Sequence, residues 1–321
     1  MTPLLEVSDL VKYFPIIGGA FRRSREAVRA VDGLSFHVDR GETLSIVGES
    51  GCGKSTVGKA ILRLTEPTSG DLRFDGKSYV AARGAEMKAI RRRLQVVFQD
   101  PYGSMNPRMR VRETIAEPLY NFGLTGSRLE TTEKVRDLLV RVGLPADALT
   151  RFPHEFSGGQ RQRLSIARAL APGADLIICD EAVSALDVSV KAQIVNLLSD
   201  LQQEIGVALL FISHDLAIVE HLTHRVAVMY LGKIVELADR RDLFRDARHP
   251  YTRALLSAVP APRIKVRKER VILKGDVPSP VHPPSGCRFH TRCPLAFERC
   301  RTEEPLLRSV DDKHLSACHL D

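Results

Sequence analysis

The stretch Gly48-Glu49-Ser50-Gly51-Cys52-Gly53-Lys54-Ser55, with Thr56 behind it, has the residue types and spacing to hold a chain of phosphates. Thr43 to Val47 before it reads as a short buried strand, and Ser55 to Leu64 after it has a helical pattern. In that setting the backbone N–H groups of a glycine-rich turn and of a helix N-terminus point at anionic oxygens. Lys54 adds a positive charge, and the Ser55 hydroxyl is placed for Mg²⁺. This is the P-loop pattern. Cys52 occupies a variable position of the loop and receives no redox role. Leu176-Ile177-Ile178-Cys179-Asp180-Glu181 is a second candidate, four apolar residues ending in two carboxylates. A buried strand delivers its carboxylates at its carboxyl end, so Asp180 can orient Mg²⁺ and Glu181 can accept a proton from an attacking water. An acidic pair that merely closes a surface strand is the ordinary reading of such a pair in isolation, and the P-loop in the same chain argues against it. In Phe156-Ser157-Gly158-Gly159-Gln160-Arg161-Gln162-Arg163 the serine and the two glycines cap a helix N-terminus, a second anion site more than 100 residues from the first.

The elements that must position these groups can be read from periodicity. Leu4 to Phe14 alternates as a strand, a turn at Gly18 and Gly19 follows, and Val28, Val31, Leu34, Phe36 and Val38 resume the alternation, which predicts an antiparallel start. The middle segment, about 99–172, is helical in pattern, clearest over Glu133 to Val142 and Gln160 to Leu170, and reads as an inserted helical subdomain. Asp175 to Asp180 and Val207 to Ser213 read as buried strands flanking a helix with Val190, Ile194, Leu197, Leu198, Leu201 and Ile205 at helical spacing. The parallel core is expected to close there. After about Arg245 the texture turns to Pro, His and Cys with little periodicity, a small appended region.

Composition narrows the class. With 321 residues the chain can form one large domain or two modest ones. Its longest apolar runs, such as Val207 to Ile212, are strand-sized, whereas a membrane-spanning helix needs roughly 20 apolar residues. Met1 to Leu10 carries Glu6 and Asp9 and does not read as a secretory signal, so a cytosolic chain is expected. Lys and Arg exceed Asp and Glu by 47 − 39 = 8, concentrated at Arg22, Arg23 and Arg25, at Arg91 to Arg93, and from Arg263 to Lys274. Solvated faces beside headgroups or phosphates account for that excess better than nucleic acid does. Cys287, Cys293, Cys300 and Cys318 crowd into the end of the chain, where a reducing compartment favours metal binding over disulfides. Their intervals match no C-x₂-C zinc pattern. Four thiolates suit tetrahedral zinc or a four-iron cluster, and four unrelated thiols is the bland alternative.

Taken together the motifs resemble those of the ABC transporter ATPases, whose signature is usually Leu-Ser-Gly-Gly-Gln; Phe156 keeps the apolar anchor. The resemblance covers about residues 4–245 and implies an α/β fold: a P-loop NTPase (RecA-like) core, an antiparallel β subdomain, an inserted helical subdomain and a small Cys-rich C-terminal extension. It implies ATP and Mg²⁺ as ligands, with Gly48 to Thr56 on the phosphates and Ser157, Gly158, Gly159 and Gln160 completing the ATP site of an opposite subunit. Phe14 sits where an aromatic stacks on adenine, with Tyr13 an adjacent candidate. Gln99 matches the Q-loop glutamine that contacts Mg²⁺ with Ser55 and Asp180. Ser184-Ala185-Leu186-Asp187 matches the D-loop, and His214 matches the switch histidine, so that Glu181, His214 and Gln99 form the expected catalytic set. Ala182 and Val183 replace the more usual Pro-Thr after the glutamate.

Further stretches resemble the ATPases of oligopeptide and dipeptide importers, in particular their second ATPase subunit: Lys12 to Ile16, Gln99 to Pro107, His249 to Pro260, and Gly286 to Pro294. The resemblance divides the chain into an ATPase domain, 1–245, and an extension, 246–321. It implies a peripheral subunit at the cytoplasmic face of the membrane, paired with a related ATPase and two permease subunits and served by an external binding protein. Peptides are the first expected cargo, with nickel, glutathione, sugars or opines carried by relatives; an exporter ATPase would lack reason for the extension. Some members carry a [4Fe–4S] cluster at the terminal cysteines, which favours iron over zinc and a structural role.

Overall fold

The computed structural model describes residues 2–17, 23–259 and 273–321, so the expected Gly18–Gly19 turn, Arg22 and most of the basic stretch from Arg263 lie outside the described residues. The strands in chain order are β1 (Leu5–Ile17), β2 (Arg23–Val38), β3 (Thr43–Val47), β4 (Ser69–Phe74), β5 (Lys77–Ser78) and β6 (Leu94–Val97). They continue as β7 (Leu176–Asp180), β8 (Ala208–Ser213), β9 (Arg225–Tyr230), β10 (Lys233–Asp239), β11 (Arg308–Asp311) and β12 (His314–Ser316). The helices are α1 (Lys54–Ile61), α2 (Gly84–Arg93), α3 (Val111–Asn121), α4 (Arg128–Arg141) and α5 (Gly158–Leu170). After them come α6 (Val188–Ile205), α7 (Leu216–Leu222), α8 (Arg240–Arg245), α9 (Pro250–Ser257) and α10 (Glu298–Thr302). Among the described residues no helix is long and apolar enough to cross a membrane.

The chain packs as two compact units. One comprises residues 1–4, 38–43 and 74–212. Its strands β6, β7 and β8 run parallel, with Val97 opposite Cys179 and Asp180 opposite Ile212. Every residue of β7 and β8 is buried, the pattern of parallel strands covered on both faces. Helices α3, α4 and α5 pack on one another, and α5 also packs on α6 and β6. The apolar stripe of this bundle includes Ile115, Leu119, Val135, Leu139 and Leu164, all fully or nearly fully buried. Periodicity does not single out α3, because Pro118 lies inside it.

The other unit comprises residues 5–37, 44–73 and 213–321. Here β2, β1 and β4 are hydrogen-bonded neighbours, and β3 runs parallel to β9 with Val47 opposite Val228. The sheet does not close after Ser213 as the pattern suggests. It continues through β9 into β10, paired antiparallel. The two-residue connection, Leu231 and Gly232, has φ of 42° and 79°, and positive φ at both positions is the hairpin geometry that matches strand twist. Leu is a poor resident of that region, so no turn signal marks the hairpin in the sequence.

Beyond Arg245 the chain builds onto this sheet instead of standing apart. β12 pairs antiparallel with β10, and β11 with β12. Tyr230, Tyr251 and Phe289 are fully or nearly fully buried and meet ring to ring, with centroids 4.7–5.3 Å apart. Such a cluster buries on the order of 150–250 Å² per ring and supplies a core that sparse apolar periodicity conceals. Glu236 is fully buried, and its carboxylate accepts from the backbone N–H of Arg248 at 2.6 Å and of His249 at 3.0 Å, with the His314 ring nitrogen 2.7 Å away. A buried carboxylate needs that many partners to offset its lost hydration.

His249 also caps α9, since its Nδ1 accepts from the Tyr251 N–H at 3.1 Å. Burial depresses its pKa to about 4 from the ordinary 6.5. The unfolded chain therefore takes up a proton near pH 6.5 that the folded chain refuses until about pH 4, so stability is present above pH 6.5 and is lost as pH falls through that window. The loss amounts to about 3 kcal/mol. His249→Asn keeps a capping acceptor without titrating, and thermal melts from pH 7 to pH 4 should show a flatter decline for the variant than for the unaltered chain.

Candidate functional site

The loop after β3 is shaped by close backbone approach. Gly53 has φ of 106°, and a Cβ there would lie 2.0 Å from the Ala30 carbonyl oxygen, so no side chain fits. The loop feeds α1, whose first residue is Lys54. Lys54 is buried, and its ammonium spans the loop to the carbonyls of Gly48 and Glu49, each at 2.9 Å. The Cys52 thiol beside it is raised in pKa by burial, which keeps it neutral and unreactive at neutral pH. A glycine-walled cradle, a helix N-terminus and a lysine that already contacts oxygen atoms fit a phosphate chain. Gly48 to Thr56 lie together in this loop and first helical turn, as the spacing predicts.

In the same unit Tyr13 and Phe14 separate into two roles. The Tyr13 hydroxyl is committed to Asp32 Oδ1 at 2.5 Å, whereas Phe14 is 39% exposed with the Lys12 ammonium 4.9 Å from its ring centroid. His214 is exposed directly after β8. Its neighbours are fixed: Asp215 N–H donates to Ser213 Oγ at 3.0 Å, and the Asp215 carboxylate caps α7 through the N–H groups of Ala217 and Ile218.

In the other unit, Gln99 follows β6 by two residues, and Asp180 and Glu181 end β7. Because those strands are parallel and in register, the three side chains emerge at the same edge of the sheet. Asp180 is 8% exposed. Glu181 adopts a φ of 49°, a strained setting for a residue with a side chain, and is held there by its N–H to the Ile212 carbonyl at 3.0 Å. Its own carbonyl accepts from the Ser184 N–H at 3.0 Å and the Ser184 hydroxyl at 2.9 Å, which anchors the segment Ser184 to Asp187 to the turn.

Ser157 caps α5 through a reciprocal pair. Its Oγ accepts from the Gln160 N–H at 3.3 Å, and its own N–H donates to Gln160 Oε1 at 3.0 Å, a capping box in which glutamine fills the third position. Gly159 is required by packing, since a Cβ there would lie 2.4 Å from Val190 Cγ1 on α6. Phe156 is buried, as expected of an apolar anchor. The pattern gives Arg161 no role. It is 8% exposed, ties the segment together through the carbonyls of Phe156 and His154, and lies 3.7 Å from the centroid of the Tyr102 ring. Nor does the pattern give a role to Tyr251 or Arg292, which both contact Glu49 of the phosphate loop from more than 200 residues away. Their only sequence signal is that each lies in a stretch that marks the importer resemblance.

The terminal cysteines require a correction. Cys287 N–H donates to the Cys300 carbonyl at 2.8 Å, and the four residues are close enough for their thiols to influence one another. Yet among the described residues no group of three or more His, Cys, Asp or Glu side chains converges to hold a metal ion. The iron–sulfur cluster, the zinc alternative and the metal-binding character expected of Cys287, Cys293, Cys300 and Cys318 are therefore set aside. All four are free thiols, and burial pushes Cys287 up to about 11, so the protonated form is held at neutral pH. The aromatic cluster and the added strands give this region a packed core without a metal.

Comparison with known proteins agrees with this geometry. The ABC transporter family matches residues 31–184, and the family described as the oligopeptide/dipeptide transporter C-terminal region matches residues 235–300. Neither description names a cluster. A Sinorhizobium fredii protein named as a probable peptide ABC transporter ATP-binding protein, y4tS, is 56% identical over 99% of this chain and 90% of its own length. The oligopeptide transport ATP-binding protein AppF of Bacillus subtilis is 51% identical over 99% of this chain and 97% of its own. Among solved structures, an ATP-binding cassette captured as a post-hydrolysis dimer with ADP and Pi superposes with a TM-score of 0.65 at 27% identity, covering 74% of this chain and 99% of that one. With relatives this similar over nearly the whole length, the chain belongs to the ATP-binding subunits of oligopeptide/dipeptide ABC transporters, and its enzymatic activity is ATP hydrolysis.

Proposed function

We propose that this chain energises the import of dipeptides and oligopeptides by hydrolysing ATP at the cytoplasmic face of a membrane, bound peripherally to two permease subunits. The observation that carries the reading is the joint presence of the phosphate loop, the Ser157-capped helix and an importer-type C-terminal region in one chain. The names of relatives on both sides of 50% identity support peptides as cargo. Residues 1–245 act as the ATPase and 246–321 as its importer-specific extension, with a second, related ATPase as partner and an external binding protein selecting the peptide.

Each side chain then has a task. The N–H groups of Gly48 to Thr56 and the Lys54 ammonium hold the phosphates, and Phe14 stacks on the adenine, since its neighbour Tyr13 is occupied by Asp32. Ser55, Gln99 and Asp180 hold Mg²⁺, which neutralises phosphate charge when bound. Glu181 takes the proton from the attacking water, and His214 contacts the γ-phosphate. Exposed Ser157 and Gln160 present the α5 N-terminus to the nucleotide of the opposite subunit, so that ATP closes the pair and hydrolysis reopens it.

Glu181→Gln should bind MgATP as tightly as the unaltered chain while turnover in the assembled transporter falls by about 100-fold or more, the scale of losing a general base. Steady-state phosphate release near the normal rate would remove Glu181 from that role. The isolated chain, kept monomeric, should hydrolyse ATP far more slowly than when joined to its partner ATPase and permeases. Equal rates measured by sedimentation-checked assays in the two states would rule out a shared site.

A further inference from the structure

Glu49 places a carboxylate inside a loop built to hold anions, and the structure shows how that charge is met. Arg292 donates from Nη1 to Glu49 Oε2 at 2.7 Å and from Nη2 to Oε1 at 3.2 Å, a two-pronged pair that fixes the carboxylate in one orientation. The arginine side chain is only 8% exposed and the glutamate side chain 26%. The guanidinium is braced by the Tyr230 hydroxyl at 3.5 Å, and its own backbone N–H donates to the Phe289 carbonyl at 3.0 Å. The main chain of Glu49 is held from the same side, its N–H donating to the Tyr251 hydroxyl at 2.9 Å. Tyr230, Tyr251 and Phe289 are the three rings of the buried cluster, so side chain and backbone of Glu49 are gripped by one packed body. On its other side the Glu49 carbonyl accepts from Lys54, the lysine assigned to the phosphates.

From this arrangement we infer that Arg292 is a positioning residue for the phosphate-binding loop: it acts through Glu49 by cancelling its carboxylate, so the C-terminal region sets how tightly this chain holds ATP. The inference rests on the assignment of Gly48 to Thr56 as the phosphate site. A guanidinium withdrawn from Glu49 leaves an uncompensated negative charge on the loop that binds the triphosphate, and the repulsion grows with the number of phosphates. Nothing in the distance along the chain between residues 49 and 292 makes the coupling weak, because the fold brings them into direct contact.

The test uses the full chain and equilibrium binding of MgATP, MgADP and adenosine. Arg292→Gln should weaken MgATP by about tenfold, MgADP by less and adenosine not at all, the ordering expected of one uncompensated charge beside a partly solvated anion. Glu49→Gln removes the offending carboxylate and leaves the cation, and should bind MgATP at least as tightly as the unaltered chain. The double variant, with neither charge, should recover to within about threefold of the unaltered chain, which a merely structural role for the pair would not allow. MgATP affinity unchanged in Arg292→Gln, or a double variant as weak as that single one, overturns the proposal. Should Arg292→Gln fail to fold, a tenfold loss of MgATP affinity in Glu49→Gln overturns it on its own. Failure of the unaltered chain to bind MgATP would instead sink the phosphate-site assignment.

Discussion

A strand buried on both faces can offer chemistry only at its ends. β3, β7 and β8 are buried at every position, and the polar Thr43 and Ser45 of β3 are fully covered with the rest. Such strands fix backbone position closely while contributing no exposed group along their length. The residues proposed for the site accordingly follow their carboxyl ends: the Gly48 loop comes after β3, Asp180 closes β7 with Glu181 next, and His214 follows β8. The strain at Glu181 and the glycine at position 48, where a Cβ would lie 2.2 Å from the Met229 carbonyl oxygen, belong to the same constraint, since a chain leaving a crowded strand has little room in which to turn.

The phosphate loop is stabilised locally by α1 and Lys54, but its second residue is held from elsewhere. Arg292 and Tyr251 belong to the segment that distinguishes this transporter class, and both converge on Glu49. Arg288 makes a parallel attachment a few residues away, pairing with Asp32 and bonding to the Leu231 carbonyl, while Asp32 also receives the Tyr13 hydroxyl beside Phe14. The C-terminal region thus reaches residues on the phosphate side and next to the expected adenine side of the loop's own unit. A region that reads in sequence as an appendix is, in packing terms, part of the wall behind the nucleotide loop.

That packing also explains why a metal staple is dispensable. The carboxylate of Glu236 gathers the backbone N–H groups of Arg248 and His249 and, from 78 residues away, the His314 imidazole, and the aromatic cluster fills the space nearby, with the His249 ring 5.6 Å from that of Phe289. Both devices need long sequence separations to form, so neither leaves a local pattern. Four cysteines close together do leave one, and it points to metal only when no other source of stability is in view. Their thiols are instead small groups, Cys300 and Cys318 buried and Cys287 and Cys293 partly so, and burial raises the pKa of Cys287, Cys293 and Cys318.

The glycine-rich loop, the acidic pair, the Ser157 helix cap and the strands and helices that carry them are legible in local patterns of residues. Each depends on residues within about a dozen positions, where backbone geometry and hydrogen-bond reach are local. Thr43–Val47 and its following loop were legible to the residue because a short, mostly apolar run ends there in a cluster of glycines. The β9–β10 hairpin was not, because Leu231 takes a backbone conformation usually left to glycine or asparagine. Long-range packing is what makes β11 and β12 extend the sheet, leaves the cysteines without a metal centre among the described residues, and sets Arg292 against Glu49. Those outcomes turn on contacts between segments far apart in the chain, whose free energy comes from burial and charge pairing that no local pattern of residues encodes.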